Sequence, residues 1–86
     1  MRSYNIFVDE TSDTSYQIAL IPSNRDGGAM GTKQYSAKDV FINDLQRVLG
    51  YTDRAIARFF AAEDRQNTLM NYALSDESAA YLGWLP

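Results

Sequence analysis

The chain has 86 residues, 45% of them hydrophobic and 13% aromatic, a formal net charge of −3, and neither cysteine nor histidine. That length suits one small domain. The missing residue types exclude disulfides, zinc-thiolate and iron–sulfur sites, thiol nucleophiles, imidazole-based triads and a near-neutral proton shuttle. A pI near 4.6 argues against phosphate-backbone attraction as the main driving force for binding. No apolar run of signal-peptide length follows Met1-Arg2-Ser3-Tyr4, and none reaches the roughly 20 residues that span a bilayer. A cytoplasmic protein with no membrane partner is therefore expected.

Tyr4 to Asp9 alternates, with Tyr4, Ile6 and Val8 on one face, and Tyr16 to Ile21 does the same with Tyr16, Ile18 and Leu20. A period of two predicts strands. The polar run Glu10 to Ser15 between them predicts a β-hairpin over 4–21 with a connection of about five residues. Pro22 ends the second strand because it cannot donate to a ladder. A glycine-rich loop over 22–32 follows, holding Gly27, Gly28 and Gly31 with Arg25, Met30 and Lys33 nearby, and Lys33-Gln34-Tyr35 suits a short third strand.

The helical part is expected over 36–83. Ser36 with Asp39 has the spacing of a capping box. Val40, Phe41, Leu45, Val48 and Leu49 recur at helical spacing, and Gly50 is a natural stop. Thr52 suits the cap of a second helix with Ile56, Phe59 and Phe60 on its apolar face. Glu63 falls where that face would continue, so either the helix breaks there, the favoured reading because buried carboxylates are rare unless paired, or Glu63 holds a functional position on a core-facing edge. Leu69, Met70, Tyr72, Ala73 and Leu74 read as a further helical stretch, and Ser75 caps a last helix from Asp76 to Leu82 before Gly83. Together this predicts a single α+β domain, a small antiparallel hairpin or three-stranded sheet packed on three to four short helices.

Leu45 to Phe60 resembles the helix-turn-helix of DNA-binding regulators, with Gly50 in the turn, Tyr51 after it, and Ile56 and Phe59 six and nine positions on. Gln46 stands where that motif carries a small residue. The resemblance covers about a fifth of the chain and implies Arg54 and Arg58 as contacts to phosphates or base edges. Arg65 would join them only if the helix ran on. Residues 38–65 are charge-balanced, with five basic and five acidic side chains, so a solvated face or a protein contact fits the same stripe.

No other segment suggests chemistry. Asp9 to Asp13 lacks the glycine and terminal glutamate of a calcium loop, and a polar turn accounts for it. The glycine loop is neither a Walker A loop nor a dinucleotide fingerprint. Carboxylate-pair chemistry needs a cleft that so short a chain cannot easily build. We therefore expect no catalytic residue, no cofactor and no metal.

Tyr81, Leu82, Trp84 and Leu85 cluster near the end of the chain, where Trp84 can seal the core or anchor a partner. Acidic Asp9, Glu10, Asp13, Asp76 and Glu77 could face a basic groove on a nucleic-acid-binding protein. Phe7, Ala19 and Ile21, on the second face of the sheet, suggest homodimerisation. The expectation is a non-enzymatic protein-binding module, an inhibitor or adaptor, with Arg54, Arg58, Tyr81, Trp84 and those acids as contact residues. Its alternative is a DNA-binding regulator. The profile is that of small phage or mobile-element inhibitors, anti-CRISPR proteins among them, although no motif assigns the chain to such a family.

Overall fold

The computed structural model describes residues 1–24 and 30–85; Arg25, Asp26, Gly27 and Gly28 of the expected glycine loop lie outside the described residues. The elements run β1 (Arg2–Ser12), β2 (Ser15–Pro22), β3 (Gly31–Tyr35), α1 (Lys38–Arg47), α2 (Asp53–Ala61), β4 (Gln66–Leu74) and α3 (Asp76–Tyr81). The strands form one antiparallel sheet in the order β3-β2-β1-β4. The fold is thus α+β, with a four-stranded sheet and three helices. β3 and β4 are its two edges, and the chain between them carries α1 and α2 across one face.

The alternation in β1 and β2 places Tyr4, Ile6 and Val8 beside Tyr16, Ile18 and Leu20 under the helices, all buried. Phe41, Leu45 and Leu49 descend onto them, and Tyr16 stacks on Phe41 with ring centroids 4.5 Å apart. Offset aromatic stacking of this kind adds to burial. The hairpin is tighter than expected. Ser12 pairs with Ser15, which leaves a connection of only Asp13 and Thr14, and a bulge between Glu10 and Ser12 absorbs the mismatch.

The stretch read as helical over Leu69 to Leu74 is a strand. The error has a physical source. Asn67 and Leu69 lie opposite Val8 and Ile6, but Met70 and Asn71 together oppose only Asn5, and Tyr72 then pairs with Tyr4. This bulge makes the inward-facing positions 67, 69, 72 and 74, a spacing that imitates a helix. Asn71 carries the bulge at φ 52°, a conformation asparagine adopts more readily than most residues, and its N–H donates to Asn5 Oδ1 at 3.0 Å.

The helix ends follow the sequence with one correction. Ala37, not Ser36, occupies the start of α1, without a side-chain cap. Thr52 caps α2 by accepting from the Ala55 N–H at 3.0 Å, and Ser75 caps α3 by accepting from the Ser78 N–H at 3.1 Å. α2 ends at Ala61, so the helix does break before Glu63. Gly50, at φ 70°, takes the left-handed turn that separates α1 from α2.

Candidate functional site

Two features stand out from the packed core. One is a buried polar cluster, and the other is a groove beside an open sheet edge.

The cluster centres on Asp44. Phe41, Asp44, Leu45 and Val48 follow the i, i+3, i+4, i+7 spacing of a core-facing helix stripe, so the fold carries a carboxylate inward; Asp44 is 2% exposed. On β3, Lys33 and Tyr35 share a face because they are two residues apart. The Tyr35 hydroxyl donates to Asp44 Oδ2 at 2.6 Å, the Tyr81 hydroxyl lies 2.9 Å from Oδ1, and Lys33 Nζ lies 3.2 Å from Oδ2. The same ammonium sits 3.6 Å from the centroid of the Tyr81 ring, a cation–π contact. Burial and the neighbouring carboxylate push the Tyr35 hydroxyl far above its ordinary value. For Lys33, burial pulls the value down, but hydrogen bonds to Tyr81 and Asp44 outweigh it and the net shift is upward. Every member of the cluster has a partner within it. Its first effect is to tie α1, β3 and the end of α3 together. In the sequence the signal for Asp44 is an aspartate within the apolar stripe of Phe41, Leu45 and Val48.

The groove lies between α2 and β4. Two adjoining cavities of about 330 and 310 Å³ share Thr52, Ala55 and Asn67. Their floor is apolar, formed by Ala55, Phe59, Leu69 and Tyr72. Arg54 and Arg58 stand on the helix side, and neither has an ion-pair or hydrogen-bond partner among the described residues. The strand side is fixed to the α1–α2 connection by two bonds. Asn67 Nδ2 donates to the Tyr51 hydroxyl at 2.5 Å, and the Tyr72 hydroxyl donates to the Leu49 carbonyl at 2.8 Å.

β4 reads Gln-Asn-Thr-Leu-Met-Asn-Tyr-Ala-Leu, with no charged residue and no proline. The Glu10 N–H donates to the Arg65 carbonyl at 2.9 Å. Antiparallel ladders alternate, so the backbone groups of Asn67 and Leu69 turn toward β1 and those of Thr68 face away from the sheet. The Gln66 N–H already turns outward to the Asp64 carbonyl at 2.9 Å. The other edge is more crowded. Gly83 and Trp84 lie against β3, where a Cβ on Gly31 would come within 2.3 Å of Trp84 Cα and one on Gly83 within 2.1 Å of the Thr32 carbonyl oxygen.

The remaining expected contact residues are dispersed. Trp84 is buried at 3% exposure, edge-on to Tyr4 at 5.5 Å and under the Arg2 guanidinium, so it completes its own core and offers no surface. Tyr81 is half-exposed, its hydroxyl held by Asp44. Asp9, Glu10 and Asp13 sit at the hairpin tip, whereas Asp76 and Glu77 open α3 beyond the strand end that pairs with Arg2. Seven residues of β1 separate these ends, about 23 Å at the usual strand rise, so the acids form no single patch. Glu10 is moreover paired with Arg65 at 2.8 Å, which removes Arg65 from any arginine stripe. On the uncovered sheet face Phe7 is half-buried, Ala19 is buried and Ile21 is only moderately exposed, and Gln17 and Gln34 hydrogen-bond to each other between the flanking strands.

No protein-family model, curated protein or solved structure matches the chain. No helix among the described residues is long and apolar enough to cross a membrane.

Proposed function

We propose that this chain is a small protein-binding module, an inhibitor or adaptor without catalysis, and that it receives its partner in the groove between α2 and β4. The observation that carries this reading is the unprotected edge. Proteins ordinarily guard an exposed edge strand with charges, proline or a covering element, because an open row of backbone donors and acceptors recruits another strand. β4 has none of these guards over its first four residues, before the bulge at Met70 and Asn71. It adjoins an apolar floor and two unpaired arginines.

A second reading, DNA binding through α2, rests on the same two exposed arginines. Against it stand the loss of Arg65 to Glu10 and the carboxylates of Asp53, Glu63 and Asp64 at the ends of α2, which a phosphate backbone running along the helix would meet but which do not line the groove. A benzophenone photo-crosslinker at Ala62, which lines the groove, separates the readings when compared with one at Gln34 on the far edge. In native cells the Ala62 position is expected to give a discrete protein adduct that the Gln34 position does not. No protein adduct at Ala62, or the same adduct from both positions, overturns the proposal; a nucleic-acid adduct at Ala62 favours the alternative.

A further inference from the structure

We infer that the groove accepts an extended acidic segment of the partner as a fifth strand on β4. This inference rests on the protein-binding reading above and specifies its mode and chemistry. The mode follows from the backbone. β4 runs regularly from Gln66 to Leu69 before the bulge at Met70 and Asn71 turns the strand. That regular stretch is about 13 Å long and matches an added strand of about four residues. Strand addition draws its affinity from main-chain hydrogen bonds and its specificity from alternate side chains that enter a neighbouring pocket. Here the pocket is the groove, so every second side chain of the added strand would meet Phe59, Ala55 and the two arginines.

The chemistry follows from charge. Arg65 has Glu10, but Arg54 and Arg58 have no carboxylate among the described residues. A carboxylate on the incoming strand would gain charge-assisted, two-pronged hydrogen bonds from a guanidinium. A second copy of this chain is the poorer occupant. Its β4 carries no carboxylate, and pairing edge to edge would bring Arg54 and Arg58 of both copies toward one seam.

The test uses the full ¹⁵N-labelled chain and two synthetic peptides of alternating valine with glutamate or with lysine. The glutamate peptide is expected to shift amide resonances of residues 66–71 and 52–58 and to leave the hairpin tip unmoved, and the lysine peptide to shift neither. Arg54→Glu with Arg58→Glu, on an exposed helix face, should weaken binding at least about tenfold while leaving the melting temperature within a few degrees. Thr68→Pro should abolish binding by removing the outward donor. Equal binding of both peptides, shifts elsewhere, or self-association that Thr68→Pro abolishes would overturn the inference. A duplex oligonucleotide that shifts these amides when the glutamate peptide does not would overturn it in favour of nucleic acid. A protein adduct at Ala62 without a response to the glutamate peptide would leave the binding module standing and remove only the acidic strand.

Discussion

Replacing Asp44 by alanine tests what the buried polar cluster contributes to the fold. The carboxylate is nearly inaccessible and accepts from Tyr35 at 2.6 Å and Tyr81 at 2.9 Å, with Lys33 at 3.2 Å. Its removal leaves two tyrosine hydroxyls and one ammonium without their acceptor. Hydrogen bonds to a charged group contribute about 1.5–3 kcal/mol each, and breaking a buried ion pair costs about 3–5 kcal/mol. The Lys33 side chain is 27% exposed and can regain part of its hydration, which places the expected loss near the lower bound, about 3 kcal/mol. A domain of this length has about 4–13 kcal/mol in total, so the variant should lose at least about a fifth of its stability and melt at least about 12 °C lower. Urea unfolding followed by Trp84 fluorescence and circular dichroism measures this directly. Asp44→Asn keeps the volume and one acceptor and should fall between wild type and Asp44→Ala. Adding Lys33→Met to Asp44→Ala should cost less than the two single losses combined, because the second change removes an ammonium already stripped of its partner. A loss below about 1 kcal/mol for Asp44→Ala would refute the view that the cluster fastens α1 to β3 and α3.

Three further outcomes follow. Trp84→Ala should cost about 3–5 kcal/mol, and Gly31→Ala, whose new Cβ has no room beside the Trp84 backbone, should shift Trp84 emission toward that of exposed tryptophan; unchanged melting and emission would show that the C-terminal segment packs elsewhere. Tyr4→Phe should be neutral or stabilising by about 1 kcal/mol, since the buried Tyr4 hydroxyl has no hydrogen-bond partner among the described residues; a clear loss in urea titration would contradict this. Burial raises the hydroxyls of Tyr35, Tyr51 and Tyr4, and Lys33 is raised by its partners, so the native state retains protons that the unfolded chain releases. Stability should therefore hold below about pH 10 and fall above it, more gently in Tyr35→Phe; urea midpoints that rise across this interval would reverse the argument.

Much of the fold was legible because the hairpin and the first two helices obey clean periods. Tyr4, Ile6 and Val8 face Tyr16, Ile18 and Leu20 across a period-two pattern, and Thr52, Gly50 and Ser75 terminate helices by local chemistry that needs no tertiary context. The sequence of β4 imitates a helix for a specific reason. Its bulge at Met70 and Asn71 breaks the alternation, and a broken period of two over nine residues is close to a period of 3.6. The same imitation conceals the candidate site, since without an edge strand at 66–74 Arg54 and Arg58 are a bare helix face rather than one wall of a groove. The role of Trp84 was undecidable from the sequence because it depends on whether Gly31 makes room for it, a contact between residues more than fifty positions apart. The acidic side chains showed the opposite limit: net charge says how many there are, and only the topology shows that they lie at two ends of the sheet.

The most direct measurement of the central claim is hydrogen exchange on the intact chain, free and bound to the protein that crosslinking from Ala62 captures. The account predicts slowed exchange at the amides of residues 66–71, led by Thr68, with smaller protection across 52–58. Protection confined to the hairpin tip, to α3 or to the uncovered sheet face, with the β4 amides unchanged, would contradict it.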